Sequence, residues 1–357
     1  MTTRILRSPA DQLTPEFLDN HCATADMYVP GTVPKFKRVK GKKVRVGARA
    51  ILQPVPELQR VQKHLIAQLK NYRVGLHPAA HAYRENRSII TAAEPHVGKR
   101  RLLRIDLKAF FATVTPEMVF EWLPRSVPQG LKDRIKNWCF LDGSLPQGAP
   151  SSPFLSNVAM YGVDKRIEFL CRNWRSPRNI TASKCDAKYT RLNRIDYTRY
   201  SDDLFFSSDY RRLLGITFHV RKILRRNGFE VNERKVRLTK RESNRQYVVG
   251  IVVNEKLSCP RDLRKWLRNQ LHRLIVDVVS GRCAPHHYFN TEGVVTPLNG
   301  STALTFESLA GKVNFVNNVN PEQGAQLQQL LDIAVEAHTL ADDEWSEATV
   351  NYAKKCQ

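Results

Sequence analysis

The amino-acid sequence predicts an α+β fold, on three observations that extend along the chain. Two segments, residues 35–56 and 196–208, carry β-branched and aromatic residues on both sides of a turn, which is typical of β-hairpins. Between and after them, apolar residues recur at helical spacing. No internal repeat or long low-complexity linker interrupts the 357 residues, so we expect one continuous body with lobes.

The first elements are a basic hairpin and an amphipathic helix. KFKRVKGKKVRVGARAILQPVP, residues 35–56, has a glycine in its middle, and its second strand runs into Pro54. PELQRVQKHLIAQLKNY follows, and it places four apolar residues on one helical face. These are Leu58, Val61, Leu65 and Leu69.

The middle of the chain alternates strands and helices. RRLLRIDLKAFFATV predicts a strand that ends at Asp106, and SPFLSNVAMYGVDKRIEFLCRNW predicts one helix begun by Ser152 and Pro153. A basic, turn-rich insertion at 176–195 precedes a hairpin with two aspartates at its tip. The remaining predictions are a basic helix at 211–226, strands in EVNERKVRLTK and YVVGIVVNEKL, a basic helix at 260–279, and an acidic helical segment at the end. The packing stripe expected for the helix at 260–279 consists of Leu263, Leu267, Leu271 and Leu274.

The composition favours a nucleic-acid partner. Lys and Arg total 57 against 34 Asp and Glu, which gives a net charge of +23 and favours an anionic partner. A membrane is disfavoured, because no apolar run approaches the roughly 18 to 20 residues that span a bilayer, and the N-terminus lacks the apolar core of a signal peptide. Seven cysteines without a C-x-x-C pair indicate reduced thiols, so we expect a cytoplasmic protein.

Three carboxylates are candidates for metal chemistry. Asp202 and Asp203 stand side by side in RYSDDLFFSS, and Asp106 ends an apolar strand. Each has an ordinary alternative, a solvated turn for the pair and a strand end or helix N-cap for Asp106. If the fold brings them together, however, the cluster suits two Mg²⁺ ions about 3.5–4 Å apart, the arrangement that supports phosphoryl transfer.

The order of several motifs resembles that of reverse transcriptases. RIDLKAFF, LPQGAPSSPFLSN, YSDD and VNERK occur in the family's order, and the resemblance extends from about residue 40 to about residue 320. PHVGKR and SLAGKVNFVNNVNP resemble the bacterial retron-type enzymes in particular. At two retron marker positions this chain has Ala92 in place of Asn and Val249 in place of Thr.

The resemblance implies a right-hand polymerase fold with fingers, palm and helical thumb. The expected divisions are an N-terminal extension at 1–34, fingers at 35–105 with a contribution from 130–160, a palm at 106–258 that contains the insertion at 176–195, a thumb at 259–320, and an acidic helical segment at 321–357.

The resemblance also assigns roles to the three carboxylates. Asp106 and Asp202 are the principal ligands of two Mg²⁺ ions, and Asp203 is the third carboxylate of the palm. The 3′ hydroxyl of a primer attacks the α-phosphate of an incoming dNTP, and pyrophosphate leaves. Phe111 occupies the position of a steric gate against a ribose 2′-OH, and we expect Phe110 and Phe111 to divide between core packing and this role.

Five further residues contact the incoming nucleotide in this interpretation. Gln147 and Gly148 lie where the family contacts the template–nucleotide pair, although a proline-flanked turn explains them as well. Lys43 and Arg49 in the basic hairpin grip the triphosphate, for which the forked donors of arginine are suited. Lys235 lies near the leaving pyrophosphate.

Three interpretations of function remain open from the sequence. The first is a retron-like RNA-directed DNA polymerase that copies a cognate structured non-coding RNA into an msDNA-like product in antiphage defence, with an effector or toxin protein as a further partner. The second is another bacterial defence-associated or intron-type reverse transcriptase. The third is an inactive, polymerase-shaped scaffold that binds RNA, which the presence of all three aspartates disfavours.

Overall fold

A computed structural model describes most of the chain, in two compact units that divide between Val249 and Gly250. The described residues are 14–39, 42–174, 194–209, 213–279, 306–339 and 346–356. The predicted insertion at 176–195 lies outside them except for its last two residues.

A short helix and a long hairpin open the first unit. Helix α1 (Pro15–Asn20) begins at Thr14, whose hydroxyl accepts a hydrogen bond from the Phe17 amide. Strands β1 (Tyr28–Val39) and β2 (Lys42–Pro54) pair antiparallel, which confirms the predicted hairpin. The hairpin begins earlier than predicted because Pro30 and Pro34, which argue against a central strand, are tolerated in a ribbon of only two strands.

Helix α2 (Pro56–Lys70) confirms the amphipathic pattern that follows the hairpin. All four residues of the predicted apolar face are buried. The helix packs against α6 (Gln129–Cys139). Between them the Gln62 amide group donates to the Trp138 carbonyl oxygen at 2.9 Å and to the Tyr28 hydroxyl at 3.1 Å, which satisfies the buried NH2 group.

A four-stranded antiparallel sheet forms the centre of the first unit. Its order is β4-β5-β3-β6, with β3 as Arg101–Asp106, β4 as Asp196–Tyr200, β5 as Asp203–Ser208 and β6 as Arg237–Lys240. Both the strand that ends at Asp106 and the hairpin with aspartates at its tip are therefore confirmed. On one face of the sheet, alternate residues of β3 and β5 enter the core: Leu103, Ile105, Leu204 and Phe206.

Short helices surround the sheet. They are α3 (Ile89–Ala93), α4 (Phe110–Thr113), α5 (Pro116–Phe120), α7 (Ser152–Ala159), α8 (Tyr161–Arg172) and α9 (Ile216–Arg226). The single helix predicted from Ser152 is wrong, since the chain forms α7 and α8 with a break at Met160. Past the break, Gly162 packs so closely on Trp122 that a Cβ atom would lie 2.0 Å from the indole ring. Helical periodicity carries no signal for such a long-range contact.

Two segments predicted as continuous strands are interrupted. A 3₁₀ turn at Glu233–Lys235 precedes β6. Strands β7 (Tyr247–Val248) and β8 (Ile251–Val252) are separated by Val249 and Gly250, both with positive φ. Further 3₁₀ turns lie at Ala25–Met27, Glu94–His96 and Leu213–Gly215, the last directly before α9.

The second unit is built around helices. They are α10 (Arg261–Val279), α11 (Phe306–Val319), α12 (Pro321–Thr339) and α13 (Glu347–Cys356). Helix α10 confirms the predicted basic helix, and Leu267 and Leu271 are fully buried as expected. Leu263 and Leu274, the two ends of the predicted stripe, are only partly buried, and Ile275 is buried in place of Leu274. A spacing of four residues at each step keeps the buried side chains facing α12.

None of the helices within the described ranges combines the length and the apolar character that a membrane crossing requires.

Candidate active site

The three candidate aspartates lie at one end of the central sheet. Asp106, the last residue of β3, pairs directly with Asp203, the first residue of β5. Because directly opposed residues of an antiparallel pair project from the same face, both carboxylates lie on one side of the sheet. Asp202 precedes Asp203, and its carbonyl oxygen accepts a hydrogen bond from the Leu107 amide at 3.0 Å.

The tip of the hairpin is a two-residue turn. Tyr200 pairs with Asp203, which leaves Ser201 and Asp202 as the loop. Ser201 has a φ of +59°, the sign required at the first loop position of the type II′ turns that suit two-residue hairpins. The turn therefore fixes the register in which Asp203 opposes Asp106, and it holds Asp202 at the end of the sheet.

Asp106 is almost completely buried and is neutralised by partners from one loop. Its side chain accepts a hydrogen bond from the Asn232 amide group at 3.1 Å, and the Lys235 ammonium lies 2.9 Å away. The Asp106 carbonyl oxygen also accepts from the Asn232 main-chain amide at 2.8 Å. The 3₁₀ turn at Glu233–Lys235 thus compensates a buried carboxylate that would be costly alone.

Asp203 is neutralised from the same strand that carries Asp106. Arg104 donates two parallel hydrogen bonds to the Asp203 carboxylate, at 3.0 and 2.8 Å. Burial raises the pKa of the Asp203 carboxyl to about 6, against the opposing effect of Arg104, and repulsion from Asp202 and Asp106 adds to the rise. The pKa of Asp203 is therefore raised chiefly by burial, and the two other aspartates contribute less.

The donor chemistry of this cluster fits Mg²⁺, although the ligands are not preassembled. Within the described ranges, no group of three or more His, Cys, Asp or Glu residues has the arrangement of a metal site. The cluster nevertheless offers only carboxylate oxygens, the ligands that hard cations prefer. The Asp202 carboxylate has neither a hydrogen bond nor an ion pair with other described residues, whereas Lys235 contacts Asp106 and competes with any cation that binds there.

The two phenylalanines after β3 have different environments. Phe110 is buried, and its ring centroid lies 6.0 Å from that of Phe229. Phe111 is partly exposed and lies between two aromatic neighbours, Phe110 at 5.3 Å and Tyr83 at 6.5 Å between ring centroids. Phe111 therefore borders the surface near the carboxylates, while Phe110 belongs to the core.

Gln147 and Gly148 contact Leu52, near the end of strand β2. The Leu52 amide of β2 donates to the Gln147 carbonyl oxygen at 2.7 Å. Gly148 has a φ of +122°, and a Cβ atom there would lie 2.7 Å from the Leu52 carbonyl oxygen. Only glycine fits this position, for a structural reason that the flanking prolines do not reveal.

The two hairpin cations lie on β2. The Cα atom of Arg49 pairs with that of Val33, and the side chain is exposed. The Cα atom of Lys43 pairs with that of Arg38, but the Lys43 side chain lies outside the described part of the chain. Arg49 is three residues from Leu52, so the strand that carries it is anchored on Gly148.

An ion pair that sequence reasoning missed lies directly behind the turn. Arg199 and Asp164 are both fully buried and are joined at 2.8 Å. Arg199 also donates to the Ser201 carbonyl oxygen at 3.1 Å, and Tyr197 donates to Asp164 at 2.7 Å. Burial acts to lower the pKa of Arg199, but Asp164 outweighs this effect and the pKa is raised. A charged residue within a predicted strand of aromatic and β-branched residues was the available signal.

A buried histidine lies under the sheet, four residues after the retron marker position Ala92. His96 hydrogen-bonds through its two ring nitrogens with Ser207 and Thr198, each at 2.7 Å. Burial lowers the pKa of His96 to about 3, with smaller contributions from His81 and Lys99. The imidazole is therefore neutral, and it links β4 to β5 from the face opposite the apolar core.

Comparison with known proteins identifies the family. The family described as reverse transcriptase (RNA-dependent DNA polymerase) matches residues 39–252, more than half of the chain. The chain belongs to the reverse transcriptase family. The matched region contains the whole central sheet and the carboxylate cluster. The protein is therefore an RNA-directed DNA polymerase, and its mixed helices and strands form the predicted α+β polymerase fold.

Curated relatives place this reverse transcriptase among the retron-type enzymes. It is 31% identical to the retron Ec83 reverse transcriptase of Escherichia coli, over 65% of this chain and 73% of that protein. It is 28% identical to the retron Ec86 enzyme of the same organism, over 75% and 76%. For the retron Mx65 enzyme of Myxococcus xanthus the identity is 32%, over 64% of this chain and 53% of that protein.

Solved structures are more distant from this reverse transcriptase. The apo telomerase of Candida tropicalis gives a TM-score of 0.42 with 12% identity, over 90% of this chain and 64% of that one. A foamy viral protease–reverse transcriptase gives 0.39 with 16% identity, over 92% and 32%.

Proposed function

We propose that this retron-type reverse transcriptase copies a cognate structured non-coding RNA into DNA at the cluster formed by Asp106, Asp202 and Asp203. The observation that carries the proposal is the register of the sheet, which sets Asp106 opposite Asp203 and leaves Asp202 in the adjoining turn. Two carboxylates on neighbouring strands and a third in the adjoining turn offer the oxygen ligands that two-metal nucleotidyl transfer uses.

The reaction joins a primer to a dNTP. The primer 3′ hydroxyl attacks the α-phosphorus, a new P–O bond forms, and the bond to pyrophosphate breaks. Asp106 and Asp202 would hold two Mg²⁺ ions, which supply charge neutralisation to the attacking and leaving oxygens when bound. Asp203 completes the cluster, and its bidentate contact with Arg104 fixes its orientation.

Lys235 serves the leaving group in this proposal. Its ammonium lies 2.9 Å from Asp106, and its side chain is half-exposed. A lysine in this position is able to exchange its contact with Asp106 for one with a phosphate oxygen. It then stabilises the negative charge that develops on pyrophosphate.

The nucleotide is held by the hairpin and by the loop beneath it. Arg49 and Lys43 grip the triphosphate, and Gln147 and Gly148 face the template–nucleotide pair. The close approach of Gly148 to Leu52 supports this proposal, because it ties the loop to the strand that carries both cations. Phe111, at the partly exposed edge of the site, excludes the ribose 2′-OH.

We assign the polymerase subdomains as the motif order implies. They are an N-terminal extension at 1–34, fingers at 35–105 with a contribution from 130–160, a palm at 106–258 with an insertion at 176–195, a thumb at 259–320, and an acidic helical segment at 321–357.

The proposed partners follow from the charge and from the relatives. A net charge of +23 suits a protein that binds RNA and an RNA–DNA product. The curated relatives are named as retron reverse transcriptases, which supports an msDNA-like product and a role in antiphage defence with an effector or toxin protein. We also propose a cytoplasmic location, supported by the free thiols Cys22, Cys139, Cys171 and Cys259.

Substitution of Asp202 tests the catalytic proposal. Asp202→Asn should abolish Mg²⁺-dependent primer extension with dNTPs on an RNA template and leave circular dichroism unchanged, because the Asp202 carboxylate supports no other described residue. Asp133→Asn, on an exposed carboxylate of α6, is the matched control. Extension by Asp202→Asn within about tenfold of the wild-type rate would remove Asp202 from the site.

Sequencing of the nucleic acid that copurifies from cells tests the proposed product. A single structured RNA joined to its DNA copy is expected. RNA alone, together with an inactive wild-type enzyme, would instead indicate an RNA-binding scaffold.

A further inference from the structure

A loop that carries none of the recognised motifs lies beside the YSDD turn. It comprises residues 77–88, HPAAHAYRENRS, and we call it the edge loop. The Arg199 amide of β4 donates to the Ala79 carbonyl oxygen at 2.7 Å, and the Arg199 carbonyl oxygen accepts from the His81 amide at 2.9 Å. The edge loop therefore continues the hydrogen bonding of the sheet past β4, two residues from Ser201.

The edge loop is also fixed from its other side. The Asn157 side chain of α7 donates to the Ala82 carbonyl oxygen at 2.8 Å, and Asn157 is completely buried. The Arg84 guanidinium donates to the His77 carbonyl oxygen at 2.9 Å. The backbone directly before Tyr83 is thus held by Asn157, and the Arg84 side chain ties the end of the loop to its start, while neither contact involves the Tyr83 side chain.

Tyr83 itself adopts an unfavourable backbone conformation. Its φ is +58°, in the left-handed region that costs a residue other than glycine about 1 kcal/mol or more. Its side chain remains 49% exposed, so burial does not compensate this cost as it would for a core tyrosine. The conformation projects an aromatic ring towards the active site.

The Tyr83 side chain connects two parts of the site. Its ring lies 6.5 Å from that of Phe111 at an angle of 49°, within the range of favourable aromatic pairs. Its hydroxyl donates to Ser201 Oγ at 3.3 Å, a long hydrogen bond. Phe111 is therefore flanked by Phe110 on one side and by Tyr83 on the other, and Tyr83 joins this stack to the turn that carries Asp202.

We propose that Tyr83 is a positioning residue for sugar selection, because it braces the Phe111 ring against the incoming nucleotide. This inference rests on the proposed role of Phe111 as the gate. A gate excludes a 2′-OH only if its ring resists displacement, and Phe111 is only partly buried against the core. The ring of Tyr83 supplies that resistance, and its long hydrogen bond to Ser201 contributes little.

The test compares ribonucleotide with deoxyribonucleotide incorporation by primer extension, as the ratio of kcat/KM values. Tyr83→Asn removes the ring but preserves the loop, because Asn tolerates positive φ. The ratio should rise about 2- to 13-fold, which is an aromatic pair of about 0.5–1.5 kcal/mol converted at 1.36 kcal/mol per tenfold. Tyr83→Phe should stay within about twofold of the wild type, since the hydroxyl contact is long.

Two controls separate bracing from general damage. Phe169→Ala removes an aromatic ring that is 70% exposed on α8, and it should leave the ratio unchanged. A merely structural role of Tyr83 would lower both incorporation rates equally and leave the ratio unchanged, which would overturn the inference. Circular dichroism and the urea midpoint verify that each variant is folded.

Phe111→Ala, alone and combined with Tyr83→Asn, completes the test. The single variant should relax selectivity, and the double variant should be no more relaxed than Phe111→Ala, because a brace has no effect without a gate. Independent, multiplicative effects would overturn the bracing role. If Phe111→Ala relaxes selectivity and Tyr83→Asn does not, this inference fails and the gate stands. If Phe111→Ala itself has no effect, the gate fails and the inference fails with it.

Discussion

Substitution of Asp164 by asparagine should destabilise the protein strongly, although Asp164 lies outside the carboxylate cluster. The Asp164 carboxylate accepts hydrogen bonds from Arg199 at 2.8 and 2.9 Å and from the Tyr197 hydroxyl at 2.7 Å. Both side chains of the ion pair are 0% exposed, so water cannot solvate the Arg199 charge that remains after the substitution. The variant retains the shape of the side chain, removes its charge and replaces one acceptor oxygen by an NH2 donor.

The magnitude follows from burial. Breaking a buried pair by removing one charge typically costs about 3–5 kcal/mol, because the other charge is left uncompensated. The Arg199 guanidinium would be that charge, and it is completely buried. The carboxamide oxygen of the variant would still accept one hydrogen bond, so we expect about 3 kcal/mol rather than the upper value.

Urea unfolding of the full chain, followed by tryptophan fluorescence, measures this loss, and an unchanged m value would show that the comparison is valid. The exposed change Asp133→Asn should cost less than about 0.5 kcal/mol. Combining Asp164→Leu with Arg199→Met removes both charges, and it should recover most of the stability. A loss below about 1 kcal/mol for Asp164→Asn, or a double variant as unstable as the single one, would refute the reasoning.

Three further predictions concern separate parts of the molecule. Gly148→Ala should cost about 1–3 kcal/mol in urea unfolding, because the new Cβ meets the Leu52 carbonyl oxygen and φ is unfavourable; a variant as stable as the wild type would contradict this. His96 has a pKa of about 3 in the folded protein and about 6.5 in the unfolded chain. Between these values only the unfolded chain binds a proton at His96, so the free energy of unfolding decreases as the pH falls below 6.5. Relative to His96→Gln, the free energy of unfolding of the wild type should decrease by about 1.4 kcal/mol per pH unit between pH 6 and 4, as measured by urea titrations. If the free energies of the two proteins change in parallel with pH, this prediction is wrong. Replacing three cations of α10 by glutamate should weaken RNA binding and flatten the slope of log K against log salt concentration in filter binding. Replacing Lys354 and Lys355 of α13 by glutamate should leave this slope nearly unchanged. Equal slopes for all the proteins would exclude α10 from the RNA interface. The three cations are Arg264, Lys265 and Arg268.

Local patterns were sufficient to predict most of the elements. The strand that ends at Asp106, the hairpin with Asp202 at its tip and the apolar face of α2 all follow from alternation or helical spacing, which are properties of neighbouring residues. Local patterns do not predict the pairing of Asp106 with Asp203, since it joins segments almost a hundred residues apart. The order of motifs supplied that information through resemblance, and the register of the sheet then specifies it at the level of single residues.

Long-range contacts were what the sequence did not predict. Tyr83 and Asp164 acquire their positions from segments more than thirty residues away, and nothing in their own neighbourhoods marks them. Gly148 was noticed, but its contact with Leu52 depends on how the hairpin docks. The exchange of Leu274 for Ile275 has a simpler origin, since both are apolar and adjacent, and only the facing helix decides which of them is buried.

The three carboxylates differ in how far chemistry and stability can be separated. Asp106 is buried against Lys235 and Asn232, so its replacement changes the packing of the loop as well as the charge. Asp203 is held by Arg104 between the same strands, and its neutralisation would alter that contact. Asp202 lies in the turn, and among the described residues its carboxylate has no partner to lose. Loss of polymerase activity in Asp202→Asn therefore reports on the reaction itself, whereas the same loss at Asp106 or Asp203 combines the reaction with the structure that supports it.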